Sequence, residues 1–296
     1  MIKPKTFGIW ANTDKAAVWK MLPEILNWGK SAGLETWLTT RIQKNKPKSV
    51  SFECPIIETA EDFKKLDFIL SLGGDGTMLS LARAVFDRGT PILGIHLGEL
   101  GFLAEVIDKD MFQRLDLVAQ GKYRITERNV LQCSVSNGSR SRTLFALNDF
   151  VINNGPSVRM LNAQLEAGGL FVANYKADGL IIATPTGSTA YSLAAGGPVV
   201  VPGLDSMVVS PICPHSLTFR PIVFPAGETL SISFPGETTD STIDLAVDGQ
   251  ITESLGKDSA VSIKAADYKI KLIEFDDSNY FHTLRTKMGW GKRGEG

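Results

Sequence analysis

The chain has 296 residues and a mass of 32.1 kDa, 43% of its residues are hydrophobic, and 21% are charged. This composition places it among soluble globular proteins with room for one large or two ordinary domains. The 31 Lys and Arg residues nearly balance the 32 Asp and Glu residues, which gives a formal net charge of -1 and argues against nucleic acid or a membrane surface as the main partner.

Residues that could bind a metal are few and scattered. The cysteines are odd in number and never occur in a Cys-x-x-Cys spacing, and the histidines are isolated: Cys54, Cys133, Cys213, His96, His215 and His282. This pattern favours reduced thiols over disulfides or a zinc site. The segment Met1–Lys5 lacks the apolar core of a signal peptide, and no apolar run is long enough to span a membrane, so we expect a cytoplasmic protein.

The first part of the chain alternates strand and helix patterns. The predicted order is strand Thr6–Ala11, helix Lys15–Lys30, strand Glu35–Thr39, a polar loop over 41–51, helix Glu61–Lys65, strand Asp67–Leu72, helix Thr77–Arg88, strand Pro91–Gly94, a glycine-containing loop His96–Leu103 and helix Asp108–Ala119. Such an alternation predicts a parallel sheet covered by helices.

Beyond Tyr123 the pattern changes to short strands separated by Gly, Asn, Pro and Asp. The predicted strands are Arg124–Ser136, Ser141–Asn153, Asn162–Glu166, Leu170–Tyr175, Leu180–Thr184, Thr229–Phe234, Ile243–Val247, Ala260–Lys264 and Lys269–Phe275. They indicate an antiparallel β-sandwich. A helix over Asn279–Trp290 is expected to return to the first domain, and the last residues are expected to fray. The predicted domains are therefore 1–123 with 276–296, an α/β domain, and 124–275, a β-sandwich.

The most informative short motif is Gly73-Gly74-Asp75-Gly76-Thr77, which lies between a buried strand and a helix. At such a junction the helix start presents unpaired N–H groups to an anion, and glycines allow the backbone to approach a phosphate closely. The simpler interpretation is a tight turn in which Asp75 caps the helix. A cap does not need glycines on both sides, so the motif favours a phosphate site formed by Gly73, Gly74, Gly76 and Thr77.

A second unusual stretch extends from Lys176 to Pro198. Asp178 precedes an apolar strand, and the strand ends in a turn rich in hydroxyl groups, Thr184-Pro185-Thr186-Gly187-Ser188-Thr189, before a short helix with Tyr191. The hydroxyl and N–H groups suit a polar ligand, and the Tyr191 ring offers a flat face to a base. The alternative, a capped helix with Tyr191 in the core, is equally compatible with this stretch alone.

Together these motifs resemble the NAD kinase family. The resemblance rests on the Gly-Gly-Asp-Gly-Thr turn, on Leu147-Asn148-Asp149 after a strand, on Asp178-Gly179 followed by 185–192, and on Pro211–Leu217 with Arg220–Val223. The first motif also occurs in lipid kinases and phosphofructokinases, whereas the long second motif is specific. Many family members have Glu where this chain has Asp149, and the shorter side chain reaches less far.

The resemblance implies an enzyme that phosphorylates the 2′-hydroxyl of the adenosine ribose of NAD, with ATP or another phosphoryl donor and a divalent cation, expected to be Mg²⁺. It also implies a homodimer or homotetramer. Asp75 would be the general base beside Gly76, Phe102 would lie near the adenosine, and Asn148 with Asp149 would hold the acceptor ribose. The resemblance assigns the remaining NAD-binding roles to Arg159, Lys176, Asp178, Thr189, Ala190, Tyr191, Ser192, Ala194 and Gln250.

Two other functions stay open at this point. A lipid or sugar kinase would share only the first motif, and a non-catalytic NAD(P)-binding regulator would share both without turnover. The chain contains no G-x-x-x-x-G-K-[ST] loop and no G-x-G-x-x-G motif between a predicted strand and a predicted helix, so a P-loop kinase and a usual dinucleotide oxidoreductase are not indicated. The protein ligands of the metal are not identifiable from the sequence.

Overall fold

The computed structural model describes residues 3–48, 51–98, 101–104, 106–137, 140–155, 159–236, 243–256 and 258–290. The strands are β1 Thr6–Ala11, β2 Glu35–Thr39, β3 Ile56–Ile57, β4 Phe68–Gly73, β5 Ile92–His96, β6 Val106–Ile107, β7 Arg124–Asn137, β8 Arg140–Ala146, β9 Asp149–Asn153, β10 Leu161–Ala167, β11 Leu170–Ala177, β12 Gly179–Ala183, β13 Ser206–Ile212, β14 Ile222–Pro225, β15 Leu230–Ser233, β16 Ile243–Val247, β17 Ile251–Leu255 and β18 Ala260–Glu274. The α-helices are α1 Ala16–Ser31, α2 Thr40–Asn45, α3 Asp75–Val85, α4 Met111–Ala119, α5 Tyr191–Ala194 and α6 Tyr280–Met288.

Two compact units form from this chain. The first comprises residues 1–127 and 270–296, and the second comprises residues 128–269. Within the part of the chain that the structure describes, none of the helices combines the length and the apolarity that crossing a lipid bilayer requires.

The first unit is built on a parallel sheet with the strand order β3-β2-β1-β4-β5. Strand β4, which lies between β1 and β5, is buried along its whole length, as expected for a parallel sheet with both faces covered. Helix α1 lies close to this sheet at Gly29, where a Cβ atom would overlap the ring of Phe7 and the hydroxyl of Thr36. The N-terminal unit is therefore the α/β domain that the sequence predicts.

The last segment of the chain belongs to this first unit. Arg114 donates two hydrogen bonds to the carboxylate of Asp277, at 2.7 and 2.8 Å, and its guanidinium lies 4.8 Å from the ring centroid of Phe275. Helix α6 follows, and Leu284 is its buried apolar residue. The predicted return of a C-terminal helix to the α/β domain is confirmed.

The second unit contains two antiparallel sheets. One has the order β14-β13-β12-β9-β16-β17, and the other contains β11, β10, β15 and the first part of β18. Alternate residues of β10, such as Ala163 and Leu165, point into the same core as Phe150 and Ile182 of the other sheet. This arrangement is a β-sandwich, in agreement with the sequence prediction.

Several element predictions are wrong in detail. The polar loop predicted over 41–51 begins with helix α2, because the Thr39 hydroxyl accepts the Ile42 N–H at 3.4 Å and Ile42 is fully buried. One buried apolar residue leaves no helical period to detect. The single predicted strand Ser141–Asn153 is interrupted between β8 and β9, whereas the two predicted strands over 260–275 form one strand, β18. The predicted fraying of residues 291–296 lies outside the described residues.

Candidate functional site

In the first unit, the glycine turn connects the buried strand β4 to helix α3. The turn is tightly packed, since a Cβ atom on Gly73 would overlap the side chain of Thr77. The Thr77 N–H donates to the Gly74 carbonyl at 2.9 Å, and the Gly74 N–H approaches the Thr77 hydroxyl only at 3.5 Å. The Thr77 N–H is therefore already hydrogen-bonded within the helix. The glycines of the turn carry no side chains, which lets a phosphate approach the backbone closely.

Asp75 does not cap the helix that it begins. Its carboxylate accepts the N–H groups of Phe102 at 2.9 Å, of Leu103 at 3.1 Å and of Ala104 at 3.2 Å. Gly101 passes so close that a Cβ atom there would overlap the carboxylate. The capping interpretation of Asp75 is therefore wrong, and backbone groups from a distant loop fix the direction of this side chain. Residues 99 and 100 of that predicted loop lie outside the described residues.

Two residues at the same edge of the parallel sheet were missed by the sequence analysis. Lys15 Nζ donates to the Leu97 carbonyl at 2.8 Å, and the Leu97 N–H donates to the Gly73 carbonyl at 2.7 Å. His96, paired with Gly73 across β4 and β5, places its Nε2 3.2 Å from the position of a Cβ atom on Gly74. Lys15 follows β1, and His96 ends β5. The carboxyl ends of these parallel strands lie at one edge of the sheet, and this shared position is the feature that could have identified both residues.

In the second unit, Asn148 and Asp149 connect β8 to β9, and the backbone of 147–149 is fully hydrogen-bonded. The Asp248 carboxylate accepts the N–H groups of Leu147, Asn148 and Asp149 at 3.2, 2.7 and 3.2 Å. Thr184 donates its hydroxyl to the Leu147 carbonyl at 2.6 Å and its N–H to the Asn148 carbonyl at 2.8 Å. Sequence analysis did not select Asp248, although the Asp248-Gly249 turn between two apolar runs marks its position.

Asp149 is a buried carboxyl group, with 4% of its surface exposed. Burial, and secondarily the negative charge of Asp248, raise the pKa of Asp149 to about 7. Because the charged form is disfavoured in this environment, Asp149 takes up a proton within the physiological range of pH.

The raised pKa of Asp149 predicts a pH-dependent contribution to stability. The unfolded chain has an Asp pKa of about 3.9, so between that value and about 7 the folded state binds more protons and its stability falls as the pH rises. Urea denaturation should show that the difference in unfolding free energy between the chain and its Asp149→Asn variant falls by about 2 to 3 kcal/mol from about pH 5 to about pH 8. A constant difference over this range would contradict the raised pKa.

The segment 184–192 forms a compact turn that surrounds Gly187. The Gly187 N–H donates to the Thr184 hydroxyl at 3.0 Å, and a Cβ atom on Gly187 would overlap the backbone of Asn148. The hydroxyls of Ser188 and Ser192 are buried and used inside the protein, the first with Pro185 and Val200 and the second with Ser210. These two hydroxyls therefore hold the turn together.

Tyr191 begins helix α5, and its side chain is not part of the core. The residue is 48% exposed, so the alternative in which Tyr191 is a core residue is wrong. Thr189 and Ala190 are partly buried, and Ala194 is exposed on the same short helix. The Thr189 hydroxyl donates to the Thr186 carbonyl at 3.2 Å.

The remaining predicted residues of the second unit are exposed. Lys176 is the next-to-last residue of β11, and Asp178 precedes β12. The Lys176 carbonyl accepts the N–H of His215 at 2.8 Å, and the Asp178 N–H donates to the carbonyl of Ile212, the last residue of β13, at 2.9 Å. Gln250 lies in the turn between β16 and β17, two residues after Asp248. Arg159 lies between β9 and β10, where its carbonyl accepts the Asn154 side chain at 3.1 Å. In the first unit, Phe102 is partly buried.

A self-contained metal centre is not present among the residues that the structure describes. No group of at least three His, Cys, Asp or Glu side chains there is arranged to hold an ion. The described residues therefore do not fit a metal held by the protein alone.

Comparisons with known proteins agree with both units. Residues 7–123 match the family of ATP-NAD kinase N-terminal domains, and residues 147–275 match the family of ATP-NAD kinase C-terminal domains. An NAD kinase of Syntrophotalea carbinolica is 36% identical over 294 residues, which cover 98% of this chain and 100% of that protein. An NAD kinase of Koribacter versatilis is 44% identical over 228 residues, which cover 77% of this chain and 79% of that protein.

Solved structures show the same fold at lower identity. A yeast NADH kinase complexed with NADH matches with a TM-score of 0.89 and 23% identity, covering 99% of this chain and 90% of that chain. An NAD kinase from Archaeoglobus fulgidus in complex with ATP matches with a TM-score of 0.74 and 23% identity, covering 96% of this chain and 98% of that chain.

Proposed function

This chain belongs to the NAD kinase family, and on that basis we propose that it transfers the γ-phosphoryl group of ATP to the 2′-hydroxyl of the adenosine ribose of NAD, giving NADP and ADP. The observation that carries the proposal is the match of both parts of the chain, 7–123 and 147–275, to the two domains of ATP-NAD kinases. A lipid or sugar kinase that shares only the glycine-aspartate turn would leave the second match unexplained.

Asp75 is proposed as the general base. In the reaction a bond forms between the ribose 2′-oxygen and the γ-phosphorus, the bond from that phosphorus to the bridging oxygen breaks, and ADP leaves. The 2′-hydroxyl proton passes to the Asp75 carboxylate. Three N–H groups already bond to this carboxylate, and a carboxylate has about four lone-pair sites, so one remains for the ribose hydroxyl.

The acceptor nucleotide is assigned to residues of the second unit. The Asn148 side chain is proposed to hold the ribose: it is partly exposed and, among the described residues, it has no hydrogen-bond partner, while its backbone is fixed. The half-exposed ring of Tyr191 is suited to stack on adenine. Asp149 is assigned to the same ribose, and the other proposed NAD contacts are Phe102, Arg159, Lys176, Asp178, Thr189, Ala190, Ser192, Ala194 and Gln250.

The donor phosphates are assigned to the glycine turn, to Gly73, Gly74, Gly76 and Thr77. A divalent cation, expected to be Mg²⁺, would neutralise phosphate charge. Since the described residues hold no three-ligand cluster, the cation is expected to arrive on ATP.

We also propose a homodimer or homotetramer, a cytoplasmic location, and domain boundaries at 123/124 and 275/276.

A turnover assay tests this function directly. Purified protein incubated with NAD, ATP and Mg²⁺ should form NADP, measured by mass spectrometry, with parallel reactions that contain NADH as acceptor or polyphosphate as donor. A reaction without a phosphoryl donor is the control. NAD binding in calorimetry without NADP from any donor would identify a non-catalytic binding protein instead.

A further inference from the structure

Asp248 has no role in the function described so far, yet it is one of the most constrained residues of the second unit. It is 9% exposed, and its backbone has φ of 50°, in the left-handed region that non-glycine residues rarely adopt. A buried carboxylate in an unfavourable backbone conformation requires compensation from its surroundings.

That compensation comes from the segment that is proposed to hold the acceptor ribose. Asp248 Oδ1 accepts the N–H groups of Asn148 and Asp149, Oδ2 accepts that of Leu147, and the Asp248 N–H donates to the Asp149 carbonyl at 3.0 Å. Hydrogen bonds to a charged acceptor are stronger than neutral ones. The carboxylate therefore holds three consecutive amides in one orientation.

The opposite side of the segment is held by neutral groups. Thr184 bonds to the carbonyls of Leu147 and Asn148. With amides and carbonyls both fixed, the side chain of Asn148 is the part of that residue left to meet a ligand. The direction of this side chain follows from the backbone that Asp248 anchors.

We propose that Asp248 is a positioning residue for the acceptor nucleotide, which fixes the backbone of 147–149 and so orients Asn148 toward the ribose. The proposal rests on the proposed function, because it concerns how the same ribose is bound. Asp248 does not touch the nucleotide in this role, so its removal should weaken NAD binding more than it slows the chemical step.

A graded pair of variants tests the role. Asp248→Asn keeps one oxygen acceptor, and Asp248→Gly keeps none; Asn and Gly both tolerate a positive φ, so neither adds backbone strain. We expect KM for NAD to rise about 10-fold in Asp248→Asn and about 100-fold in Asp248→Gly, since each carboxylate oxygen that no longer accepts a backbone N–H corresponds to about a tenfold change. KM for ATP should stay within about twofold of its original value.

Asp244→Asn is the matched control. Asp244 lies on β16, the strand that Asp248 follows, but its carboxylate accepts an exposed Ser254 hydroxyl at 2.8 Å. This variant should keep the original KM for NAD. Unchanged KM for NAD in both Asp248 variants would overturn the proposal, as would equal increases in KM for NAD and for ATP together with a lower melting temperature, which would indicate general damage.

Amide hydrogen exchange separates this inference from the proposed function. It is measured without nucleotide, on the peptide that contains 147–149. Faster exchange in the Asp248 variants than in Asp244→Asn supports the anchoring of this segment, and equal exchange contradicts it. The exchange result does not depend on turnover. If the unaltered chain fails to make NADP, the proposed function is overturned, and the exchange measurement still decides whether Asp248 anchors 147–149.

Discussion

Replacement of Asp75 by Asn is expected to lower kcat for NAD phosphorylation by about 10²- to 10⁴-fold with little change in KM for NAD. Asn keeps the shape of the side chain and an oxygen that can accept the N–H groups of Leu103 and Ala104, which now bond to one carboxylate oxygen. It cannot take the ribose proton. Steady-state kinetics with NAD and ATP varied separately measures the effect.

Asp87→Asn provides the control for Asp75→Asn. Asp87 lies in the turn that follows helix α3, with 56% of its side chain exposed, where it pairs only with the neighbouring Arg88 among the described contacts. Its substitution should leave kcat unchanged. If Asp75→Asn retains nearly normal kcat and an unaltered circular dichroism spectrum, Asp75 is not the base.

Gly187→Ala is expected to lower the free energy of unfolding by about 3 kcal/mol, a large effect for one methyl group. The added Cβ atom would overlap the backbone of Asn148, and a backbone cannot move aside as a flexible side chain can. The chain must open between 147–149 and 184–188, where Thr184 connects the two segments. Urea denaturation followed by circular dichroism measures the loss.

Gly203→Ala is the matched control for this change, because no heavy atom lies within 4 Å of the position of its Cβ. Its unfolding free energy should stay within about 0.5 kcal/mol of that of the original chain. Equal stability of the two variants would show that the close approach of Gly187 to Asn148 does not constrain the fold.

Patterns of apolar residues predicted the architecture well where the elements are long and buried. The bounds of β1 and β2 agree with the predicted strands, and the predicted change from alternating helices and strands to successive strands beyond Tyr123 is seen in the element order from β7 onward. Short elements were less predictable. Helix α2 has one capping residue and one buried residue, so it shows no apolar period. Strand β13 contains Pro211, and a proline within a run of residues argues against a strand.

The candidate site was predictable only in part. Asp75 and Asn148 were selected by motif, whereas Asp248 and Lys15 were not, because each acts on backbone groups about 100 or 82 positions away in the chain. Hydrogen bonds between distant segments leave no periodic pattern. The buried hydroxyls of Ser188 and Ser192 show the converse, since residues that suggest a ligand by composition serve the turn itself.

Among the residues that the structure describes, the hydrogen bonds that orient the Asp75 carboxylate come from main-chain N–H groups of 102–104. Any residue except proline provides such a donor, so the hydrogen bonds from 102–104 do not depend on which side chains these three positions carry. Leu103 and Ala104 are buried, while Phe102 remains partly exposed. Position 102, which is proposed to contact NAD, is therefore where a substitution is expected to change the choice of nucleotide while Asp75 keeps its orientation.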